Sequence, residues 1–241
     1  KLHDVRTDEA LVRAVPSVGE QVWDTLRPEL TLDATVSLRS SPDEPEATYA
    51  TVLDIHGGRV RLRDVPLPLE HVTGAVRTSG QTVDIERLQA RLRTEHGSGS
   101  DASATSLLSA TGTVDLPAER ADLYVAVDDL LLTRNLLEAL PEVGKSVWES
   151  FQPRGVVSVT GKLYYDGKRK PRLRYFLDVS LKDVSVLPAA PPLPVRALAG
   201  DLLVSGDRIL SNRLSGVTCG GAISGSAILY YGVDQGAKSY G

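Results

Sequence analysis

The chain has 241 residues, of which 41% are hydrophobic and 24% are charged, so it is long enough to bury a core and has a globular composition. Its 27 basic and 31 acidic residues give a net charge of −4, without the basic excess that nucleic-acid-binding proteins use. We therefore expect no nucleic-acid partner. A chain with one cysteine also cannot form an internal disulfide.

The opening segment, residues 4–28, is repeated without a gap as residues 129–153. Nine of the 25 positions are identical, where background frequencies predict about one or two. This indicates an array of two repeats, at 1–127 and 128–241, and arrays seldom carry catalysis. Each repeat is expected to begin with a helical lead-in, at about 7–27 and 133–152.

The lead-ins are predicted to be kinked helices. In the second copy apolar side chains recur every three or four residues, at Leu136, Leu137, Leu140, Val143, Val147, Trp148 and Phe151. Asp8 or Thr133 can cap the start, a central proline divides each lead-in into two short pieces, and Pro28 or Pro153 ends it. We interpret the repeated proline and tryptophan residues as structural anchors that pack helix on sheet: Pro16, Trp23, Pro141 and Trp148.

Beyond each lead-in the apolar period changes to two, which predicts strands with one apolar face. The first strand of each copy begins near Leu30 and Val157, and further strands are expected near 47–56, 59–65, 71–78, 88–94, 107–116, 121–127, 172–181, 184–187, 197–204, 213–219 and 222–230. Turns are predicted at Gly57-Gly58, Ser79-Gly80, Asp166-Gly167 and Ser205-Gly206-Asp207. We expect an antiparallel meander, a flexible insertion at 97–106 in the first repeat only, and a frayed end at 232–241.

The predicted fold class is therefore mostly β: two tandem repeats of antiparallel twisted sheet, each opened by short kinked helices. Alternation does not decide how the apolar face is covered. It lines a groove in a curled open sheet, or packs on a second sheet in an open sandwich, and both arrangements have the same pattern.

Residues with the spacing of a catalytic or metal site are missing from the sequence. The four histidines are scattered, no serine lies in a G-x-S-x-G motif, and no glycine-rich phosphate loop occurs. Cys219 is interpreted as a small packed residue rather than a nucleophile. We expect no catalytic residue, no metal, no cofactor and no enzymatic activity.

The densest basic cluster is one predicted hairpin, with Lys168, Arg169, Lys170 and Arg172. The simpler interpretation is a solvated hairpin whose charges discourage edge-to-edge aggregation. The alternative is contact with anionic lipid headgroups or an acidic partner.

Several segments together resemble the AsmA-like proteins of bacterial envelopes, relatives of TamB and of the eukaryotic bridge-like lipid-transfer proteins. The resemblance covers both copies and lies in a Leu-Leu-x-Ala-Leu-Pro lead-in, a Val-Trp pair, a Pro-x-Gly turn, two proline-punctuated crossing segments and a glycine-rich closing strand: Leu136 to Pro141, Val147-Trp148, Pro153 to Gly155, Val65 to Leu69, Pro191 to Val195 and Cys219 to Gly225. The chain departs from the family by lacking its membrane anchor.

The resemblance implies a long twisted sheet curled into a hydrophobic groove, fixed in the inner membrane and spanning the periplasm, along which phospholipid moves toward the outer membrane. The chain has no methionine, so we expect a piece of a longer envelope protein whose inner-membrane anchor lies elsewhere in the parent. The implied partners are phospholipid or another acyl lipid, and other envelope proteins. The alternative is a structural scaffold of β-repeats that binds other envelope proteins.

An acyl chain needs a continuous apolar wall, because each methylene removed from water contributes about 0.8 kcal/mol. The alternating strands provide candidates for this wall. We expect the lipid-facing residues to include Leu30, Leu32, Val36, Leu38, Val157, Val159 and Leu163.

Overall fold

The computed structural model describes residues 1–13, 23–24, 26–39, 48–61, 68–95, 103–139 and 143–230. The described part contains three helices with defined bounds, α1 (Glu9–Arg13), α2 (Arg134–Ala139) and α3 (Val143–Phe151), and Trp23, Asp24 and Leu26 are also helical. Its strands are β1 (Leu2–Arg6), β2 (Pro28–Arg39), β3 (Thr48–Val60), β4 (Leu69–Ser79), β5 (Thr82–Glu95), β6 (Ser103–Asp115), β7 (Arg120–Leu132), β8 (Arg154–Asp166), β9 (Leu173–Val186), β10 (Val195–Ser205), β11 (Arg208–Thr218) and β12 (Gly221–Tyr230).

All twelve strands form one sheet in which spatial order equals chain order and every neighbouring pair is antiparallel. The predicted antiparallel meander and the mostly-β fold with few short helices are confirmed. The sheet is open, with β1 and β12 at its edges, and the described residues form no second sheet. This arrangement is consistent with a curled open sheet rather than a sandwich.

The two ends of the sheet differ. At one end, which we call the helical end, α1 connects β1 to β2, while α2 and α3 connect β7 to β8. At the other, which we call the hairpin end, tight turns at residues 80–81, 116–119 and 206–207 join successive strands. The predicted turns at Ser79-Gly80, Asp166-Gly167 and Ser205-Gly206-Asp207 are found at this end.

The helix starts follow the sequence repeat. The Leu11 N–H donates to Asp8 Oδ1 at 2.8 Å, and the Leu136 N–H donates to Thr133 Oγ1 at 3.2 Å. Each bond satisfies a helix N–H that has no partner within the helix. The capping residues are 125 positions apart, so the predicted caps are made in both copies.

The helix-to-strand connections also repeat. The Arg61 N–H donates to the Leu26 carbonyl at 3.0 Å, and the Leu187 N–H donates to the Phe151 carbonyl at 2.7 Å. Asp4 and Asp129 have φ of 51° and 54°, and Arg27 and Gln152 both have φ of 40°. Strand β1 therefore corresponds to the end of β7, and each repeat consists of a lead strand, helices and five further strands.

The predicted division of the lead-in is seen in the second repeat, where α2 and α3 are separate helices. Pro16 and Pro141 lie outside the described residues. Pro28 starts β2, and Pro153 immediately precedes β8. None of the described helices has the length and apolarity that crossing a bilayer requires.

Two local predictions were wrong. Gly57-Gly58 is not a hairpin turn but lies within β3, where the register with β2 shifts between Thr31 and Leu32. Strand β3 therefore continues through the glycines to Val60, and no separate strand begins at Arg59. Residues 184–186, also predicted as a separate strand, are the end of β9. A bulge keeps the strand going, because it absorbs one extra residue without reversing the chain.

The flexible insertion predicted at 97–106 was wrong for its last four residues. Residues 103–106 belong to β6, and 96–102 lie outside the described residues, as do 232–241. Leu88 pairs with Ala110 and Leu214 pairs with Gly225. The two leucines are 126 positions apart but their partners only 115, so the first repeat has extra residues in this hairpin.

Candidate functional site

One face of the sheet is apolar from edge to edge. Cross-strand partners project to the same side of a sheet, so the registers define a row with one residue in each strand. Its members are Val5, Leu32, Ile55, Gly74, Leu88, Ala110, Val125, Gly161, Leu177, Val204, Ile209 and Leu229. Each is apolar or glycine. We call this side the apolar face and the opposite side the polar face.

The next row toward the hairpin end has the same character. It consists of Ala34, Leu53, Val76, Ile85, Gly112, Leu123, Leu163 and Tyr175. Among the registered pairs of the described strands, no charged residue lies on the apolar face. Its two buried serines are satisfied by backbone, because Ser106 Oγ donates to the Asp129 carbonyl and Ser211 Oγ to the Asp201 carbonyl, both at 2.8 Å.

Charged side chains project from the polar face. Arg77 pairs with Glu86 at 2.6 Å, and Arg120 pairs with Asp166 at 3.3 Å. His3 contacts Asp33 with 3.1 Å between Nδ1 and Oδ2. The separation of apolar and charged residues onto opposite faces follows from the period-two alternation in the sequence.

The apolar face is buried at the helical end. Val72 and Val184 are each 1% exposed and Val157 is 3% exposed. Leu136 of α2 and Leu26 belong to the same packed cluster as the strand side chains. The helical lead-ins therefore supply part of the cover at this end.

At the hairpin end the same face is exposed. Val36 is 56% exposed, and Tyr165 and Leu173, which pair across β8 and β9, are each 40% exposed. The apolar face is thus covered at the helical end of the inner strands and accessible at the hairpin end, while at the β12 edge Ile223 of the same face is 41% exposed.

The six sequence-predicted wall residues whose side chains are described lie on the apolar face, and one of these six is well exposed. Leu32 and Val157 are buried in the core. Leu30, Val159 and Leu163 are half-buried, and Val36 is exposed. The side chain of Leu38 lies outside the described residues.

The basic cluster lies in the β8–β9 hairpin, at the hairpin end. Lys168, Arg169, Lys170 and Arg172 are exposed. The turn is held by Asp166, whose carboxylate accepts the Lys168 N–H at 3.1 Å and pairs with Arg169 at 3.4 Å. The turn that carries these residues joins the strand ends at Tyr165 and Leu173, at the accessible end of the apolar face.

The two tryptophan anchors occupy equivalent backbone positions. Trp23 and Trp148 are both half-buried. Their carbonyls accept the N–H of Arg27 at 3.1 Å and of Gln152 at 3.0 Å. These bonds lie where the lead-in ends and the first strand of each repeat begins.

Cys219 is not packed, so this part of the sequence prediction was wrong. It is exposed in the turn between β11 and β12, with φ of 50°, and Gly220 follows with φ of 79°. Two consecutive positive φ angles are typical of a type I′ turn, which projects its side chains into solvent.

An open hollow of about 510 Å³ on the polar face has no counterpart among the predicted sites. It is lined by His56, Arg59, Glu70 and His71, among others. In the register Arg59 lies between Glu29 and Glu70, so unlike charges alternate there. The described residues contain no group of three or more side chains placed to hold a metal ion.

The sequence analysis named wall residues in β2 and β8 only, although the other strands have the same alternation of apolar and polar residues. Strands β4 to β7 and β9 to β12 alternate as clearly as β2 and β8, but cross-strand register decides which residues join into rows.

No protein-family model, curated protein or solved structure matches this chain.

Proposed function

We propose that the chain holds or conducts phospholipid, or another acyl lipid, on its apolar face, as a segment of an AsmA-like envelope protein that spans the periplasm between the inner and outer membranes. The observation that supports this proposal is the uncharged apolar row that crosses all twelve strands. Its accessible end supplies an entry for an acyl chain.

The dimensions suit an elongated apolar ligand. Twelve strands at about 4.8 Å spacing make the row roughly 50 Å long. A ligand of methylene groups would gain about 0.8 kcal/mol for each group moved from water to this face. Such binding needs no nucleophile, general base or metal.

The basic hairpin provides a complementary headgroup contact. Lys168, Lys170 and Arg172 are exposed in the turn that joins the strand ends at Tyr165 and Leu173. An anionic headgroup at this hairpin with its acyl chains on the apolar face would satisfy both surfaces.

The test is native mass spectrometry of the chain purified from a lipid-rich host, followed by extraction and identification of bound lipid. Val36→Asp places a charge on the accessible part of the apolar face, where Val36 is 56% exposed. We expect a loss of bound phospholipid of about tenfold or more, since a carboxylate in contact with acyl chains must be desolvated.

The matched control is Val217→Asp. Val217 is 42% exposed in a strand but pairs with Arg196 on the polar face, so lipid occupancy should not change. Val159 is less suitable because it packs against the core cluster, and a charge there would unfold the chain. Equal lipid loss in both variants, or a lipid-free chain that takes up none on titration, would contradict the proposal.

A scaffold module that binds other envelope proteins is the second candidate, and the polar face has one feature that favours it. Leu203, Leu210 and Ile228 pair across three strands, and Leu203 and Ile228 are 50% and 57% exposed. Phe176, 60% exposed, lies one strand away. If the chain takes up no lipid, this row becomes the better candidate for the binding surface.

A further inference from the structure

The two edges of the sheet are protected to different degrees. Strand β1 has five residues, three of them His3, Asp4 and Arg6, and its backbone is irregular at Asp4, where φ is 51°. Strand β12 has ten residues and contains neither a charged residue nor a proline. Charges, prolines, bulges and shortness are the usual means by which proteins block an edge. Only β1 uses them.

Strand β12 occupies in the second repeat the place that β6 occupies in the first. The apolar-face residues follow the same order of size, large, small, small, large: Leu108, Ala110, Gly112 and Val114 in β6, and Ile223, Gly225, Ala227 and Leu229 in β12. The correspondence follows from the register, because each set pairs with repeat-related residues of the preceding strand.

Strand β6 has a second neighbour and β12 does not. Residues Leu107 to Asp115 of β6 pair with Asp128 to Arg120 of β7. The corresponding residues of β12, Ala222 to Tyr230, pair on one side with β11 and have no partner on the other among the described strands. Their outward N–H and C=O groups form a template for one more strand.

We propose that the β12 edge binds an extended peptide segment with the pattern of β7, which adds antiparallel to β12 as a thirteenth strand. Alternate apolar residues of the segment continue the rows of the apolar face, at the positions that Ala121, Leu123, Val125 and Val127 hold beside β6. Its charged residues project from the polar face. The proposal does not depend on lipid binding.

The test uses a synthetic peptide with the sequence of β7, Arg120–Leu132, and the full chain labelled with a fluorescence donor on its one cysteine, Cys219. Cys219 is exposed at the turn where β12 begins. In the register of β7 on β6, the peptide's C-terminal part would lie near Ala222 and its N-terminus near Tyr230, about 27 Å farther along the strand.

An acceptor on the peptide's C-terminus should therefore give strong, saturable energy transfer, and an acceptor on its N-terminus weaker transfer at the same occupancy. The reverse order would mean parallel addition and would overturn the proposed register. Little transfer from either acceptor despite binding would place the peptide elsewhere, such as at β1, and would overturn the proposed site.

Backbone methylation separates strand pairing from nonspecific contact. In an added edge strand only alternate residues donate to β12. N-methylation of the peptide residues whose N–H groups donate to β12 should weaken binding at least about tenfold. N-methylation of the residues between them, whose N–H groups point away from β12, should leave most of the binding affinity. Equal effects of the two sets would contradict strand addition.

Sedimentation velocity of the unlabelled chain distinguishes a second occupant. The proposal requires a chain that is monomeric at the concentrations used and that binds one peptide. A stable dimer that excludes the peptide would show that the edge binds a second copy of the chain, and would overturn the proposed occupant.

Discussion

The carboxylate of Asp33 in β2 contacts two residues of β1, His3 and Asp4. Oδ1 accepts the Asp4 N–H at 2.9 Å, Oδ2 lies 3.1 Å from His3 Nδ1, and His56 Nε2 lies 3.4 Å from Oδ1. These contacts, the Asp4 N–H first, lower the pKa of Asp33 from 3.8 to about 2. All of them require or favour the charged form.

We predict that β1 loosens in acid. Because the folded-state pKa is depressed, the stabilisation is fully present above pH 3.8 and is lost as pH falls through about 2. The carboxyl carbon of Asp33, followed by NMR, should titrate with a midpoint near 2, and the Asp4 amide should shift with it. His3→Ala should raise the midpoint only part of the way, because the Asp4 N–H bond remains. A midpoint near 3.8 in the unmodified chain would disprove this account.

Gly74 and Gly200 occupy equivalent positions in the two repeats and have the same close contact with the next strand. Their φ angles are 152° and 138°, and a Cβ on either would overlap a carbonyl oxygen of the next strand, that of Arg87 or of Arg213. The glycines and the arginines are each 126 positions apart. Both copies therefore keep a backbone approach that only glycine permits.

We predict that Gly74→Ala and Gly200→Ala each lower the free energy of unfolding by about 2 kcal/mol or more, since the alanine must move the neighbouring strand. Gly225→Ala is the matched control, because nothing lies within 4 Å of a Cβ there. Its effect should be below about 1 kcal/mol. Urea denaturation of the three variants measures both values. Three equal losses would indicate that close approach is not the cause.

At the scale of elements, the β11–β12 hairpin has an unfavourable turn residue. The positive φ at Cys219 suits asparagine or glycine better than cysteine. We predict that Cys219→Asn raises the free energy of unfolding by about 0.5–1 kcal/mol, and that Cys219→Val lowers it, because a β-branched side chain is strained at positive φ. Thermal melts of both variants test the turn assignment. A gain from valine would show that the turn has another geometry.

The lead-in helices are elements that the sequence predicts only in part. Their caps at Asp8 and Thr133, and the end at Pro153, depend on local backbone chemistry, which neighbouring residues determine. The cover that Leu136 gives the apolar face depends on where α2 lies above the sheet. Local spacing indicates that one side of the helix is apolar, but it does not identify the strands which that side contacts.

At the scale of the whole molecule, each strand pairs only with its neighbours in the chain, as the repeats of a solenoid do. Stability should then be lowest at the edges, where a strand has one neighbour, and highest in the middle. We predict that amide hydrogen exchange is slowest in β5 to β8 and fastest in β1 and β12. Exchange mass spectrometry on the full chain gives the profile. Uniform protection across the strands would mean that the sheet unfolds as one unit.

The repeat, most of the strands, the antiparallel order and the separation of apolar from charged residues were determined by the sequence, because alternation and turn chemistry act between residues close in the chain. The tertiary structure decided three further matters. Gly57-Gly58 lies within β3 beside a bulge at His56, Cys219 is an exposed turn residue, and the apolar face is covered at the helical end of the inner strands but accessible near Val36. Each depends on register between strands and on the cover over the sheet, and these involve residues far apart in the chain.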